Sequence, residues 1–119
     1  MLWVRSLVVG QDSVILVCVN DDYANDRLGT AIKPIEKASV DFEPPSWLDA
    51  SQAFEVSFTG TQDVQWERSG SKMKFDLGQV DVTRLIVITS DPGLRASLQK
   101  YYNSHLAANV AKLTAGSAL

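Results

Sequence analysis

The hydrophobic pattern divides the chain into strands of two kinds. Four segments alternate apolar and polar residues, as a strand with one buried and one solvated face does: 37–43, 54–59, 63–67 and 72–77. Three others are apolar at nearly every position: 2–9, 14–19 and 83–89. A strand that is apolar on both sides is typically covered on both faces. We therefore predict two packed antiparallel sheets, with the all-apolar strands in the sheet that is covered twice.

The opening stretch LWVRSLVVGQDSVILVCVN predicts a β-hairpin around which the chain is organised. Its two apolar runs flank the short polar segment Gly10–Ser13, and a short connection containing glycine is typical of a hairpin turn. We expect one face of this hairpin to lie against the alternating strands. We expect the other face to lie beneath a helix supplied by the end of the chain.

The C-terminal segment has the pattern of an amphipathic helix. Asp91 can cap its start, and Pro92 suits a first helical position. Apolar residues then follow at three- and four-residue steps: Leu94, Leu98, Tyr101 or Tyr102, His105 or Leu106, Val110 and Leu113. A helix from Pro92 to Leu113 is about 33 Å long. Its first half can cover the hairpin sheet, which leaves its second half for a partner chain or a neighbouring domain.

These elements predict a mostly-β fold in one domain. We expect a two-sheet antiparallel, immunoglobulin-like sandwich of about seven or eight strands over residues 1–90. The helix, residues 91–113, is expected to pack on the outer face of one sheet as part of the same domain. Residues 114–119 are expected to form a tail. At 119 residues the chain is long enough for a hydrophobic core of its own.

Composition argues against several classes of partner. The net charge is −3 and the basic residues are scattered, whereas nucleic acids and anionic membranes are bound by clustered Lys and Arg. No apolar run approaches the ~20 residues of a membrane span. The one cysteine, Cys18, excludes an internal disulfide, and its place in an apolar strand predicts a buried, inert thiol.

The most informative loop aromatic is Trp47, which follows two prolines. Sugars stack on aromatic faces, while neighbouring carboxylates and amides bind their hydroxyls. The loop 20–26 offers those residue types, so we predict a candidate ligand site formed by Trp47, Tyr23, Asp21, Asp22 and Asn25. The alternative is that Trp47 closes the open end of the sandwich. The acidic loop lacks the ligand spacing of a calcium-binding helix–loop–helix, and a solvated loop explains it.

The sequence contains no catalytic constellation. His105 has no Cys, Asp or Glu at metal-ligand spacing, which indicates packing or an interface. Asp41 and Glu43 share the wet face of a strand, whereas glycoside hydrolysis needs two carboxyl groups facing each other across a cleft. Phosphate-binding glycine loops, a nucleophile elbow and Cys-x-x-Cys pairs are absent from the sequence. We therefore expect a protein that is not an enzyme, with no metal and no cofactor.

The pattern resembles the β-sandwich accessory domain that follows the catalytic barrel in many bacterial glycoside hydrolases. Four segments carry the resemblance, over about residues 2–90: VRSLVVGQDSVILVCVND-Y, ASVDFEPPSWL, FEVSFTG and TRLIVIT. The helix after Thr89 departs from that family, in which the last strand ends the domain. The resemblance implies a non-catalytic module of a larger, exported protein, extracellular or periplasmic. The family's catalytic residues belong to another domain, so none corresponds to a position here.

Three functions remain open at this point. The first is an accessory module that supports or positions a neighbouring catalytic domain of a polysaccharide-degrading protein. The second is a carbohydrate-binding module that uses Trp47 and Tyr23. The third is a protein–protein interaction module, in which the second half of the helix binds a partner or a second copy of the chain.

Overall fold

The computed structural model describes residues 2–21, 23–26 and 29–117, and the side-chain surroundings of 2–21 and 33–113. The described chain forms ten strands followed by a helical segment. The strands are β1 (Leu2–Val9), β2 (Ser13–Asn20), β3 (Tyr23–Asp26), β4 (Gly29–Ile32), β5 (Ile35–Phe42), β6 (Gln52–Ser57), β7 (Gly60–Gln62), β8 (Gln65–Ser69), β9 (Lys72–Val80) and β10 (Thr83–Thr89). The helical segment consists of α1 (Leu94–Tyr101), a π-helical turn (Tyr102–Leu106) and α2 (Ala107–Ser117).

The strands pair in two main antiparallel sheets. The larger sheet has five strands in the order β1-β2-β10-β6-β7, and the smaller has three in the order β5-β9-β8. Strands β3 and β4 form a separate two-stranded hairpin. This arrangement confirms the predicted mostly-β, two-sheet antiparallel sandwich with one C-terminal helix.

The core lies between the two main sheets and follows from the alternation of side chains along each strand. In β9, Met73, Phe75 and Leu77 are buried, while Lys72 and Lys74 are exposed. The larger sheet contributes the inward residues of its two central strands, Val14, Leu16, Cys18, Ile86 and Ile88. The predicted alternation over 72–77 is therefore confirmed.

Some boundaries differ from the sequence prediction. The segment Gly60–Gln62, which lies between two predicted strands, forms β7, because its backbone pairs with β6 from Glu55↔Gln62 to Ser57↔Gly60. The predicted strand 63–67 is displaced to β8, where Trp66 is half-buried beside Phe75 at a centroid distance of 6.4 Å. Short polar strands of this kind show little hydrophobic periodicity, so their positions in the chain depend on pairing with neighbouring strands.

The helix begins two residues after Pro92, the predicted first helical position, and its N-cap is Gly93 and not Asp91. The Asp91 carboxylate accepts a hydrogen bond from the backbone N–H of Gly93 at 2.9 Å, and α1 follows from Leu94. The helical segment continues through α2 to Ser117, past the predicted start of a tail at residue 114.

The helix covers the larger sheet near its β7 edge, which is the edge opposite to β1. Phe54 and Val87 point to the outer face of that sheet and are 1% and 5% exposed. The Arg95 guanidinium lies 5.8 Å from the centroid of the Phe54 ring, and Gln99 bonds to Thr61 of β7. The expectation that the helix lies on the outer face of one sheet is confirmed, but it does not lie over β1.

The prediction that β1 is buried on both faces is wrong. Every residue from Trp3 to Val9 is exposed, and Leu2 is half-buried. The prediction of burial on both faces agrees better with β2 and β10, because the outward residues Ile15 and Val17 are half-buried and Val87 is buried. The apolar composition of a strand indicates that burying its side chains would be favourable. The helix, however, lies at the opposite edge of the sheet and does not cover β1.

Candidate functional site

Among the described residues, strand β1 forms an edge of the larger sheet and exposes apolar side chains on both faces. Trp3, Leu7 and Val8 are 43%, 52% and 64% exposed, and Val4 and Val9 are exposed as well. Large contiguous apolar patches on a protein surface typically mark interaction sites. The exposed edge is therefore the strongest candidate for a binding surface in the described chain.

The backbone of β1 is regular enough to accept another strand. It pairs with β2 without interruption, from Leu2↔Asn20 to Val9↔Ser13. Within the described ranges no strand is hydrogen-bonded to its other side, although β5 of the smaller sheet comes close to β1. Successive N–H and C=O groups of an edge strand alternate in direction, so about half of them point away from the sheet and remain open to a further strand. The only charged side chain on β1 is Arg5, whose guanidinium lies 4.9 Å from the Trp3 ring centroid.

The other edges of the two main sheets are protected. At β7, the Gln99 side chain accepts a hydrogen bond from the Thr61 backbone N–H at 2.8 Å, so the helix occupies that edge. Strand β5 carries register shifts around Ala38, and β-bulges of this kind disfavour further pairing. Both edges of the smaller sheet also carry exposed charges, namely Glu36, Lys37, Asp41, Glu67 and Arg68. Among the described residues, β1 differs in having an uninterrupted register, no side chain bonded along its edge and a single charge, Arg5.

A cavity lies beside one end of β1. It has a volume of about 550 Å³ and is lined by Val8, Gly10, Gln11 and Trp47. The Trp47 ring is 49% exposed. Val8 is the register partner of the core residue Val14, so it points to the side of the smaller sheet, from which the Trp47 loop approaches. The free edge is thus flanked by an aromatic ring with open space in front of it.

The predicted ligand residues are distributed along the length of β2. Trp47 lies beside the turn that precedes β2, whereas Asp21 follows the last residue of that strand and is exposed. A strand of eight residues spans about 25 Å, so the structure does not bring these two residues together. Tyr23 and Asn25 belong to β3, and their side chains lie outside the described surroundings, as does Asp22 altogether.

A polar cleft lies on the outer face of the smaller sheet. Its volume is about 670 Å³, and its lining includes the charged residues Lys37, Glu67, Lys74 and Asp76. The register Glu67↔Lys74 places opposite charges directly across β8 and β9. Opposite charges on neighbouring strands stabilise a sheet face, which accounts for this arrangement without a ligand.

One buried ion pair lies inside the sandwich. Glu55 is 2% exposed and binds the Arg84 guanidinium through both carboxylate oxygens, with Arg84 Nη2 at 2.7 Å from Oε2. Arg84 Nη1 also donates to the carbonyl oxygens of Leu77 and Gln79. The Glu55 carboxylate raises the pKa of Arg84 above its usual value. All of these contacts join β6, β10 and β9, so the pair ties the two sheets together.

The single thiol and the single imidazole have surroundings that fit structural roles. Cys18 is fully buried, as predicted, and burial raises the pKa of its thiol to about 11. His105 is exposed in the π-helical turn and stacks on Tyr101 at a centroid distance of 4.4 Å. Among the described residues, no group of His, Cys, Asp and Glu side chains is arranged to hold a metal ion.

Comparison with known proteins gives no relative for this chain. No protein-family model, no curated protein and no solved structure matches it. The resemblance to accessory domains of glycoside hydrolases therefore stays a prediction. No helix in the part of the chain that the structure describes is both long enough and apolar enough to cross a membrane.

Sequence reasoning missed this exposed edge, although it singled out the segment that forms it. The run Leu2–Val9 has a hydrophobic composition that fits a central strand or an unprotected edge equally well. The near absence of charge and proline in a terminal strand of the sheet was the available signal. Only the strand order in the structure shows that, within the described chain, β1 is paired with a strand on one side and not on the other.

Proposed function

We propose that this chain is a non-catalytic β-sandwich module that binds an extended polypeptide segment by strand addition along β1. The observation that carries the proposal is the contrast between edges: β1 is regular, apolar and open, while the β7 edge is occupied by Gln99. Strand addition obtains affinity from main-chain hydrogen bonds and specificity from alternate side chains. The exposed side chains of β1 supply apolar contacts on both faces of such a complex.

The two faces of β1 offer different contacts to a bound strand. On the outer face, Trp3 and Leu7 continue the half-buried residues Val19 and Ile15 of β2. On the inner face, Val8 and Trp47 border the 550 Å³ cavity. An incoming strand with apolar residues at successive positions covers both faces at once.

The proposal is tested with a synthetic peptide of alternating valine and threonine, flanked by lysine for solubility. In a titration followed by amide chemical shifts, we expect the largest changes along β1 and small changes at β8, which serves as a control edge. The matched control peptide has N-methylated amides along one side, which removes its hydrogen bonds but keeps its side chains. Equal binding of both peptides, or binding away from β1, contradicts strand addition.

The accessory role beside a polysaccharide-degrading domain is compatible with this mode of binding, and it rests on the sequence resemblance. In that case the bound segment belongs to the neighbouring domain. A fusion to the native neighbour is then expected to protect β1 from solvent, and unchanged exposure of β1 in the fusion argues against the role.

Glycan binding at Trp47 is a second candidate. One observation favours it: the ring is 49% exposed and shares a cavity with the Gln11 amide. Aromatic stacking and an amide are contacts that sugars use. Retardation in an affinity gel containing a soluble polysaccharide is expected to be lost in Trp47→Ala and kept in Phe58→Ala, another exposed aromatic. Unchanged retardation of Trp47→Ala excludes this site.

A further inference from the structure

We propose that the strand bound at β1 is β1 of a second copy of the same chain, in an antiparallel dimer centred on Ser6. This inference rests on the proposed function, because it names the partner of the same edge. The two five-stranded sheets then join across the dimer axis into one continuous sheet. The symmetry is two-fold, so each copy presents the same surface to the other.

The pleat of the strand limits which alignments are open to the dimer. Residues directly opposite each other in an antiparallel pair point to the same face. In a two-fold antiparallel pair of β1 strands, inner-face residues therefore lie opposite inner-face residues only when the two-fold axis passes between two copies of the same residue. Centring on Val4 or Leu7 leaves shorter overlaps, so Arg5 and Ser6 are the two central positions that use most of the strand.

The charge of Arg5 disfavours one of these two alignments. Centring on Arg5 places the two guanidinium groups directly opposite each other, and like charges in that position destabilise a sheet. Centring on Ser6 pairs two small hydroxyl side chains instead. Each Arg5 then lies opposite Leu7 of the partner subunit, where it remains free to contact its own Trp3 ring.

The side chains also match in size in the alignment centred on Ser6. On the outer face, Trp3 lies opposite Val9 of the partner subunit, so a large side chain meets a small one twice across the axis. On the inner face, Val4 lies opposite Val8 of the partner subunit. Both residues are exposed in the single chain, at 39% and 64%.

Trp47 completes the inner face of this pairing. Val8 lines the 550 Å³ cavity together with Trp47, and the partner's Val4 enters that space when it lies opposite Val8. The second copy thereby occupies part of this cavity, beside the Trp47 ring. The second copy thus supplies apolar residues to both exposed faces of β1, without an acidic or proline residue in the paired segment.

Disulfide trapping tests the alignment in the full chain. In the Ser6-centred dimer, the two Cα atoms of residue 6 are about 4.5–5.5 Å apart, within the range of a disulfide. We expect Ser6→Cys to form a covalent dimer under mild oxidation. Arg5→Cys alone is expected not to, because its two copies are diagonal neighbours at about 7–8 Å. A mixture of Arg5→Cys with Leu7→Cys is expected to cross-link, and the buried Cys18 serves as the unreactive background.

Sedimentation as a function of concentration tests the dimer without cross-links. We expect the unaltered chain to be a dimer whose dissociation constant rises about tenfold or more in Ser6→Glu, which places two carboxylates face to face at an edge. Ser69→Glu on the exposed edge strand β8 is the matched control and is expected to leave the dimer unchanged. Circular dichroism establishes that both variants are folded.

The outcomes separate this inference from the proposed function. A monomer at all concentrations that binds the valine–threonine peptide at β1 overturns the dimer and leaves strand addition in place. A dimer that persists in Ser6→Glu and does not cross-link through Ser6→Cys also overturns it, because another surface then joins the copies. Absence of both the dimer and peptide binding at β1 contradicts the two proposals together.

Discussion

The Gln99 side chain accepts hydrogen bonds from both the backbone N–H and the hydroxyl group of Thr61, at 2.8 and 2.9 Å. One residue of the C-terminal helix thereby occupies the hydrogen-bonding position that a further strand would use at β7. The opposite edge of the same sheet, β1, has no equivalent contact within the described residues. Under the proposed function, this asymmetry directs strand addition to one side of the sheet.

Removing the Gln99 amide is expected to weaken the attachment of the helix. Gln99→Ala loses both hydrogen bonds to Thr61, and we expect the free energy of unfolding to fall by about 1–2 kcal/mol. Urea denaturation measures this change, and hydrogen exchange at the Thr61 amide is expected to become faster. Lys100→Ala, on an exposed position of the same helix, is the control and is expected to change neither quantity.

Gly60 is expected to tolerate alanine less well than Gly70 does. Both have positive φ, at +106° and +61°, but a Cβ at Gly60 lies 2.8 Å from the Gln99 amide, whereas a Cβ at Gly70 has no atom within 4 Å. Gly60→Ala therefore displaces Gln99 in addition to straining the backbone. We expect its loss of stability to exceed that of Gly70→Ala, and part of the excess to disappear in the Gly60→Ala, Gln99→Ala double variant. Strictly additive losses argue against this coupling.

Breaking the buried ion pair is expected to cost far more than breaking the surface pair. Glu55 is 2% exposed, and Glu55→Gln leaves the Arg84 guanidinium without its counter-charge inside the sandwich. We expect a loss of about 3 kcal/mol in the free energy of unfolding. Asp63 is 93% exposed in its pair with Arg95 at 2.5 Å, so Asp63→Asn is expected to have little measurable effect. Similar losses for the two variants contradict the assigned roles.

The Cys18 thiol is expected to make stability fall at alkaline pH. Its pKa is raised by burial from 9.0 to about 11, so the folded state holds the proton more tightly than the unfolded state does. The resulting stabilisation is present below pH 9 and is lost as the pH rises from 9 towards 11. Relative to Cys18→Ala, the unaltered chain is expected to lose about 1 kcal/mol between pH 8 and pH 10. A pH-independent difference between the two proteins contradicts the assignment.

The sequence was sufficient to predict β9, but not the faces of the predicted strand 54–59, in which Glu55 is buried and Phe58 is exposed. The alternation of Met73, Phe75 and Leu77 with charged residues places one face of β9 in the core, and the structure confirms it. The helix starts just after the predicted residues Asp91 and Pro92, but Gly93 and not Asp91 is its N-cap, and the Asp91 carboxylate instead accepts a hydrogen bond from the Gly93 N–H. Such features depend on neighbours in the chain, which a sequence displays directly.

The position of each strand in the sheet could not be derived in the same way. Leu2–Val9 and Thr83–Thr89 have similar apolar compositions, yet β10 lies at the centre of the larger sheet and β1 at its edge. Strand order depends on pairing between residues far apart in the sequence, and on where the helix packs. For the same reason Trp47 and Asp21, which share the residue types of a sugar site, lie near opposite ends of β2.

The central claim, that β1 accepts another strand, is tested most directly by hydrogen exchange of the β1 amides. The measurement compares low protein concentration, high protein concentration and saturation with the valine–threonine peptide. We predict that alternate amides of Leu2–Val9, those pointing away from β2, become protected in the last two conditions, while the amides bonded to β2 exchange at constant rates. Identical exchange of every β1 amide in all three conditions contradicts the account.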